Sequence, residues 1–277
     1  MPIKTVLYVC AADTPDSDIK MAASMCEAAE AHLSLLVVGI SLNPPLGEAV
    51  SLSETWLEER DSELKAIAAR ADSARSLLEA YQVSRDIDQQ YGEAVWLADE
   101  IGMRAQYSDL VMLGHPVLHN GAVSPPVLEG LIFHSPRPLL LVPEGAMPTL
   151  APRNVLVAWD SRKEAARAVH YAVDLLRQAD RVSIVMVDPV ARRSRSGEEP
   201  GADLAAYLAR HGAKVVVERL ASEGRSIAQV LTQHAADTAA DMIVMGAYGH
   251  SRLRERLFGG VTRSFLKKCP VPILMAH

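Results

Sequence analysis

The strongest constraint on this chain is a run of elements that is written twice. "KTVLYVC" and "NVLVAW" are short β-branched runs that end near Asp13 and Asp160, and a helical stretch follows each, from about Asp16 and Arg162. "LSLLVVGI" and "RVSIVMVD" come next as buried strands, followed by a connection that holds a helix, about residues 54–81 in the first half and 202–211 in the second. "VSRDIDQQ" and "AKVVVERL" read as third strands, "GEAVWLADEIGMRAQYSD" and "EGRSIAQVLTQHAADTAAD" as amphipathic helices, and "DLVMLG" and "DMIVMG" as fourth strands. Each half closes on a strand led in by a proline pair, "SPRPLLLVP" and "CPVPILMAH", with "EGAMPTLAPR" (144–153) as the linker between the halves.

Strands that alternate with helices imply a parallel sheet, because parallel neighbours need a crossover of a dozen residues or more. Near-continuous apolar strands imply a sheet covered on both faces. The expected fold is therefore α/β: two tandem doubly wound domains with five-stranded parallel sheets, bounded at 1–145 and 152–277. A chain of 277 residues is long enough for two cores. In such sheets ligands sit beyond the carboxyl ends of the strands, where the strand order reverses. The residues after the first, second and fourth strands are thus the ones to inspect.

Composition narrows the function classes. No apolar run approaches the ~20 residues of a membrane span, and "MPIKTVLYVC" has no cleavage pattern of a signal peptide. Cys10, Cys26 and Cys269 form no CxxC or Cys/His spacing, which fits reduced thiols in a cytoplasm. Residues 1–150 carry 9 Lys and Arg against 21 Asp and Glu, whereas residues 151–277 carry 19 against 13, so the second half is the better host for an anion. Drift of charge on solvated helix faces would give the same numbers. The basic runs "RLRER" and "ARRSRSGEEPG" are broken by acidic residues, aromatics are 5% of the chain and the pI is 5.9, which argues against nucleic acid as a partner. His115 and His119 have the i, i+4 spacing of a ligand pair, but Pro116 lies between them and no acidic residue completes a zinc pattern, so no metal site is expected.

The chemistry concentrates in "MGAYGHSRLRERLFGGVT", Met245 to Thr262, which runs straight out of the fourth strand of the second half. Gly246 and Gly249 can take positive φ or let a ligand approach the backbone. Gly259 and Gly260 precede "VTRSFLKK", a helix-compatible stretch. The N–H groups from Gly259 through Val261 to Thr262 would then be the free donors of a helix start, with the positive end of the dipole behind them, which is an anion site. The Thr262 hydroxyl adds a donor or a cap. His250, inside the loop, either touches phosphate or faces solvent.

This stretch resembles the nucleotide-binding signature of the universal stress proteins: Gly, two residues, Gly, nine residues, Gly, then usually Ser or Thr. Gly246, Gly249 and Gly259 match the spacing, and Gly260 stands where the hydroxyl residue is more usual, which removes a side-chain donor and keeps the N–H. The resemblance covers the whole chain as two copies. It implies the adenine nucleotide alpha hydrolase-like, Rossmann-like fold, ATP, ADP or AMP as ligand with Mg as an accompanying ion, and a role in sensing or regulating stress responses. By the same resemblance Asp160 meets the ribose with Ala158 and Trp159 beside the base, Val187 contacts adenine through its backbone, and Met245 lines the pocket. Each has a plainer reading as well, Asp160 as a helix cap and Val187 and Met245 as core. The resemblance also implies that "RPLLLVP" and "VPILMAH" pair edge to edge, giving one chain the form of a two-chain dimer; further homodimerisation stays open.

In the first half, "GHPVLHNGAVSPPVLEGLIFHSPRP" puts Pro125 and Pro126 opposite Gly259 and Gly260. Proline has no N–H to donate, so the phosphate site should be lost there. That half reads as a structural or regulatory partner, or as the holder of a different small ligand. No catalytic residue is expected: no nucleophile stands with a base, and no Walker lysine follows the glycines. A slow ATPase or an adenylate-transferring enzyme on the same sheet is the alternative to a pure binding protein.

Overall fold

The computed structural model describes residues 3–41, 54–189, 199, 201–247, 260–268 and 270–277, leaving the Thr55 side chain aside. Gly249, His250 and Gly259 lie outside the described residues, as do Cys269 and most of both basic runs. The first half runs β1 (Thr5–Ala11), α1 (Asp16–Ala28), β2 (His32–Ile40), α2 (Glu54–Leu78), β3 (Arg85–Gly92), α3 (Ala94–Ala105), β4 (Leu110–Gly114), α4 (His115–His119), α5 (Ser124–Phe133) and β5 (Leu139–Val142). The second runs β6 (Asn154–Ala158), α6 (Lys163–Gln178), β7 (Arg181–Val187), α7 (Ala202–Arg210), β8 (Val215–Leu220), α8 (Ile227–Asp237), β9 (Met242–Gly246), α9 (Gly260–Lys267) and β10 (Ile273–Ala276).

The chain divides into two compact units, residues 3–137 and 138–277. In the first unit the sheet order is β3-β2-β1-β4, every pair parallel. In the second it is β10-β9-β6-β7-β8, again all parallel, with β5 added antiparallel on β10 through Leu139↔Met275 and Leu141↔Ile273. Both orders follow from one winding. The chain steps outward over three strands, then returns to the other side of the first, so the order reverses at β1/β4 and at β6/β9. Because crossovers are right-handed, reversing direction sends the helices to the opposite face.

The central strands β1, β2, β4, β6, β7 and β9 are buried almost throughout. The expectation of apolar runs fails at β3 and β8, which are half-exposed with polar residues along them, because they are outer strands with a neighbour on one side only. The duplication reaches individual hydrogen bonds. Asp109, just before β4, accepts from the N–H groups of Lys4 and Thr5 at 2.8 and 3.0 Å, and Asp241, just before β9, accepts from those of Arg153 and Asn154 at 2.7 and 2.8 Å. In each unit one carboxylate thus ties the start of the fourth strand to the start of the first. Cys10 and Cys26 are free and buried, and burial pushes both thiols up to about 12, so neither supplies a thiolate at neutral pH. No helix among the described residues is long and apolar enough to cross a membrane.

Candidate functional site

In the second unit a cavity of about 580 Å³ opens at the carboxyl ends of β6, β7 and β9, at the point where strand order reverses. Ala158, Trp159 and Asp160 enter it from the end of β6, Val185 and Val187 from β7, and Met245 and Gly246 from β9. Gly260, Val261 and Thr262, the first turn of α9, close another side. Nine of the twelve residues picked from the sequence therefore come together in one cavity; Gly249, His250 and Gly259 are the three outside the described residues. Sequence reasoning missed Arg162, Val185, Ser226, Ile227, Ala228, Leu231 and Ser264. For Ser226 a signal existed: Ser226-x-x-Gln229 is a capping box, and it marks a second helix start at the cavity.

One end of the cavity is apolar. Val185, Val187, Ala228, Leu231 and Ile227 line it, and Ile227 is 45% exposed, an aliphatic side chain left bare toward the opening. The other end is polar, with Asp160, Arg162, Thr262, Ser264 and the first turn of α9. Two helix N-termini face the space, and they differ. At α8 the Ser226 Oγ accepts from the Gln229 N–H at 3.2 Å while the Gln229 side chain accepts from the Ser226 N–H at 2.8 Å, so that start is already capped. At α9 the first turn holds no acidic residue, and among the described residues the N–H groups of Gly260, Val261 and Thr262 meet no acceptor. The Ser264 hydroxyl turns back to the Gly260 carbonyl at 2.8 Å, which leaves those N–H groups untouched. With no acidic residue in its first turn and its positive dipole end toward the cavity, α9 is the anion-attracting wall.

Asp160 shapes the turn out of β6. Its Oδ1 accepts from the Arg162 N–H at 3.0 Å, Oδ2 lies 3.5 Å from Arg162 Nε, and between them Ser161 takes φ 61°. Asp160 shapes this turn without capping α6, whose N-cap is Arg162 with no side-chain cap, and the half-exposed carboxylate still faces the cavity.

Gly246 needs a correction. It does not adopt positive φ, and its missing side chain serves packing: a Cβ there would lie 2.5 Å from the Ala165 nitrogen and 2.7 Å from the Glu164 carbonyl carbon. The glycine lets the first turn of α6 sit directly on the end of β9. At Gly260, in contrast, an added Cβ would meet nothing within 4 Å.

In the first unit the corresponding edge is built differently. α4 lies against β1, with Val117 fully buried, and α5 packs tightly on α3. Two glycines allow that packing: a Cβ at Gly130 would fall 2.3 Å from the Ala98 carbonyl oxygen, and one at Gly102 2.6 Å from His134 Cβ. Pro125 and Pro126 stand in the first turn of α5, so two of its four free donor positions carry no hydrogen. His115 and His119 both lie on α4 with rings stacked at 3.9 Å, and among the described residues no three His, Cys, Asp or Glu side chains gather as a metal site would require.

A sequence model of the Universal stress protein family matches residues 152–277. A universal stress protein of Synechocystis is 28% identical over 153 residues, which covers 53% of this chain and 49% of the relative, so the match spans about half the length of that curated protein. The crystal structure of a universal stress protein from Archaeoglobus fulgidus DSM 4304 aligns with TM-score 0.66 and 18% identity over 98% of this chain and 97% of that one. A protein of unknown function from Pseudomonas aeruginosa PAO1 aligns with TM-score 0.54 and 18% identity over 99% and 92%. At such identities the two structures speak for the fold, and they do so along nearly the full chain.

Proposed function

We propose that the second half, residues 152–277, which matches the Universal stress protein family model, receives an adenine nucleotide, ATP first among them, and that the protein senses or regulates a stress response through that ligand. The observation that carries the reading is the pairing, in one cavity, of the α9 helix start with an apolar slot. Phosphates take the N–H groups of Gly260, Val261 and Thr262 at the polar end. The base lies between Val185, Val187, Ala228 and Leu231, and the ribose hydroxyls donate to the Asp160 carboxylate. A cavity of this size suits a small organic ligand, which typically needs about 300–1,000 Å³. The first half, residues 1–145, takes no phosphate chain, since Pro125 and Pro126 remove donors from the first turn of α5.

The reading is one of binding. Arg162 is the only Lys or Arg among the described residues that line the cavity, and no carboxylate pair or nucleophile–base couple faces it. Mass spectrometry of the small molecule released when the purified protein is denatured should find an adenine nucleotide. Titration calorimetry with ATP, ADP and AMP, with and without Mg, should find one site per chain, and Asp160→Ala should weaken it. Hydrolysis at ~1 per second or faster, lost in Asp160→Ala, would instead make the protein an ATPase.

A further inference from the structure

We propose that the first half carries a binding site of its own, for a small organic ammonium ion, in a cavity between α2 and the carboxyl ends of β2 and β3. The cavity measures about 490 Å³ and lies wholly within the first unit. Trp56, Glu59, Arg60 and Glu63 line it from α2. Their spacing of i, i+3, i+4 and i+7 puts all four on one stripe of the helix, and that stripe is occupied by an aromatic ring and charges where a core-facing helix would carry aliphatic residues. Tyr91 at the end of β3 lines the cavity from the sheet side.

The lining selects the charge of the ligand. Indole and phenol faces attract a cation through their quadrupoles, most strongly when the cation leaves water. Two carboxylates on the α2 stripe outnumber the single guanidinium of Arg60, and the half they belong to is strongly acidic. Beside the cavity, β2 makes room for one of those carboxylates. A Cβ at Gly39 would lie 2.3 Å from Ile67 Cδ1 and 3.2 Å from Glu63 Oε1, so the absence of a side chain on β2 is what lets Ile67 and the Glu63 carboxylate settle there. Asn120, on the opposite rim, is held in place by the N–H groups of Ala122 and Val123, which donate to its Oδ1 at 3.2 and 3.1 Å. A bare metal ion would want several oxygens converging on a point and has no use for two aromatic rings. An anion would face Glu59 and Glu63.

The test uses the full chain, with choline and putrescine as probes and 3,3-dimethylbutan-1-ol as the uncharged isostere of choline, followed by calorimetry and by tryptophan fluorescence. At least one of the two cations should bind saturably, with the alcohol at least about tenfold weaker than choline where choline is the binder. Glu59→Gln and Trp56→Leu should each weaken the cation by about tenfold with the thermal unfolding midpoint unchanged, whereas Glu58→Gln, off the stripe, should leave it alone. Glu59 is exposed, so its isosteric replacement does not threaten folding. No binding of either cation up to ~10 mM, equal binding of the alcohol, or an unaltered affinity in Glu59→Gln would each overturn the proposal.

Discussion

Gly246 and Gly260 belong to the same glycine-rich stretch, yet the structure gives them opposite tasks. The contacts a side chain at Gly246 would make are with backbone atoms of α6, Ala165 N and Glu164 C, which have no rotamer through which to yield. Gly246→Ala should therefore destabilise the second unit by about 1–3 kcal/mol, the range of a small overpacking insertion, read as a lower urea midpoint with an unchanged slope. At Gly260 the space is open, and the backbone is that of an ordinary helical first turn. Gly260→Ser should change stability by no more than about 0.5 kcal/mol, and nucleotide affinity should hold or rise because the hydroxyl adds a donor while the N–H remains. Calorimetric titration of the two variants side by side checks the pair. A loss of more than about tenfold in Gly260→Ser would mean that the phosphate presses closer to this backbone than a Cβ permits.

Among the elements, the outer strands β3 and β8 carry a polar device that the two units share with its parts exchanged. In the first, His32 on β2 and Arg104 on α3 hold Asp86 on β3, at 2.6 and 2.7 Å; in the second, Arg181 on β7 and His234 on α8 hold Glu218 on β8, both at 3.2 Å. Burial pulls the Asp86 carboxyl upward, but hydrogen bonds from His32 and Ser34 and the charge of Arg104 outweigh it and leave the group below its ordinary value. Glu218 is likewise lowered: burial raises it, and Ser183, His234 and Arg181 more than compensate. A carboxylate lowered in the folded state stabilises above its unfolded pKa and loses that contribution as pH falls through the folded one. Asp86→Asn should thus cost about 1 kcal/mol at pH 7, modest because the pair is partly solvated, and the gap to the parent should close below about pH 4. Urea unfolding of both proteins from pH 7 to pH 3 measures it; a gap constant over that range would remove the ionised carboxylate from the account. These outer strands were read as strands, but not as polar ones, since only the place of "RDIDQQYG" at the sheet margin explains how so little apolar character suffices. Element order was readable because each strand ends in turn residues and each helix has its stripe. α4 and α5 were not, because Pro116, Pro125 and Pro126 read as breakers when they in fact occupy the permitted first turns of short helices. The glycine spacing pointed to the cavity, but its apolar wall on α8 comes from a helix that only the tertiary fold brings there.

At the scale of the molecule, β5 decides what counts as the second domain. The family match begins at residue 152, yet the compact unit begins at Pro138 and takes in β5, which runs antiparallel to β10. β10 is four residues, Ile273–Ala276, all buried, bonded to β9 on one side and to β5 on the other. A fragment starting at residue 152 would strip one of those neighbours away and leave a short apolar strand with a bare row of N–H and C=O groups, the kind of edge that pairs with another chain. A fragment starting at residue 138 keeps β5 on β10 and moves the bare edge to β5. The apolar side chains of Leu139, Leu140 and Leu141 are almost wholly buried, so they contribute burial as well as ladder bonds, at about 1.5–3 kcal/mol for each leucine fully covered. Residues 152–277 alone should therefore self-associate through β10, as a dimer or as aggregate, which light scattering reads, whereas in residues 138–277 the β10 amides should stay protected from hydrogen exchange. Restoring the edge should reverse it: adding a peptide of residues 136–144 to the shorter fragment should dissociate the dimer. If both fragments stay monomeric without the peptide, β10 does not need β5 to hide its edge, and the domain is the shorter one.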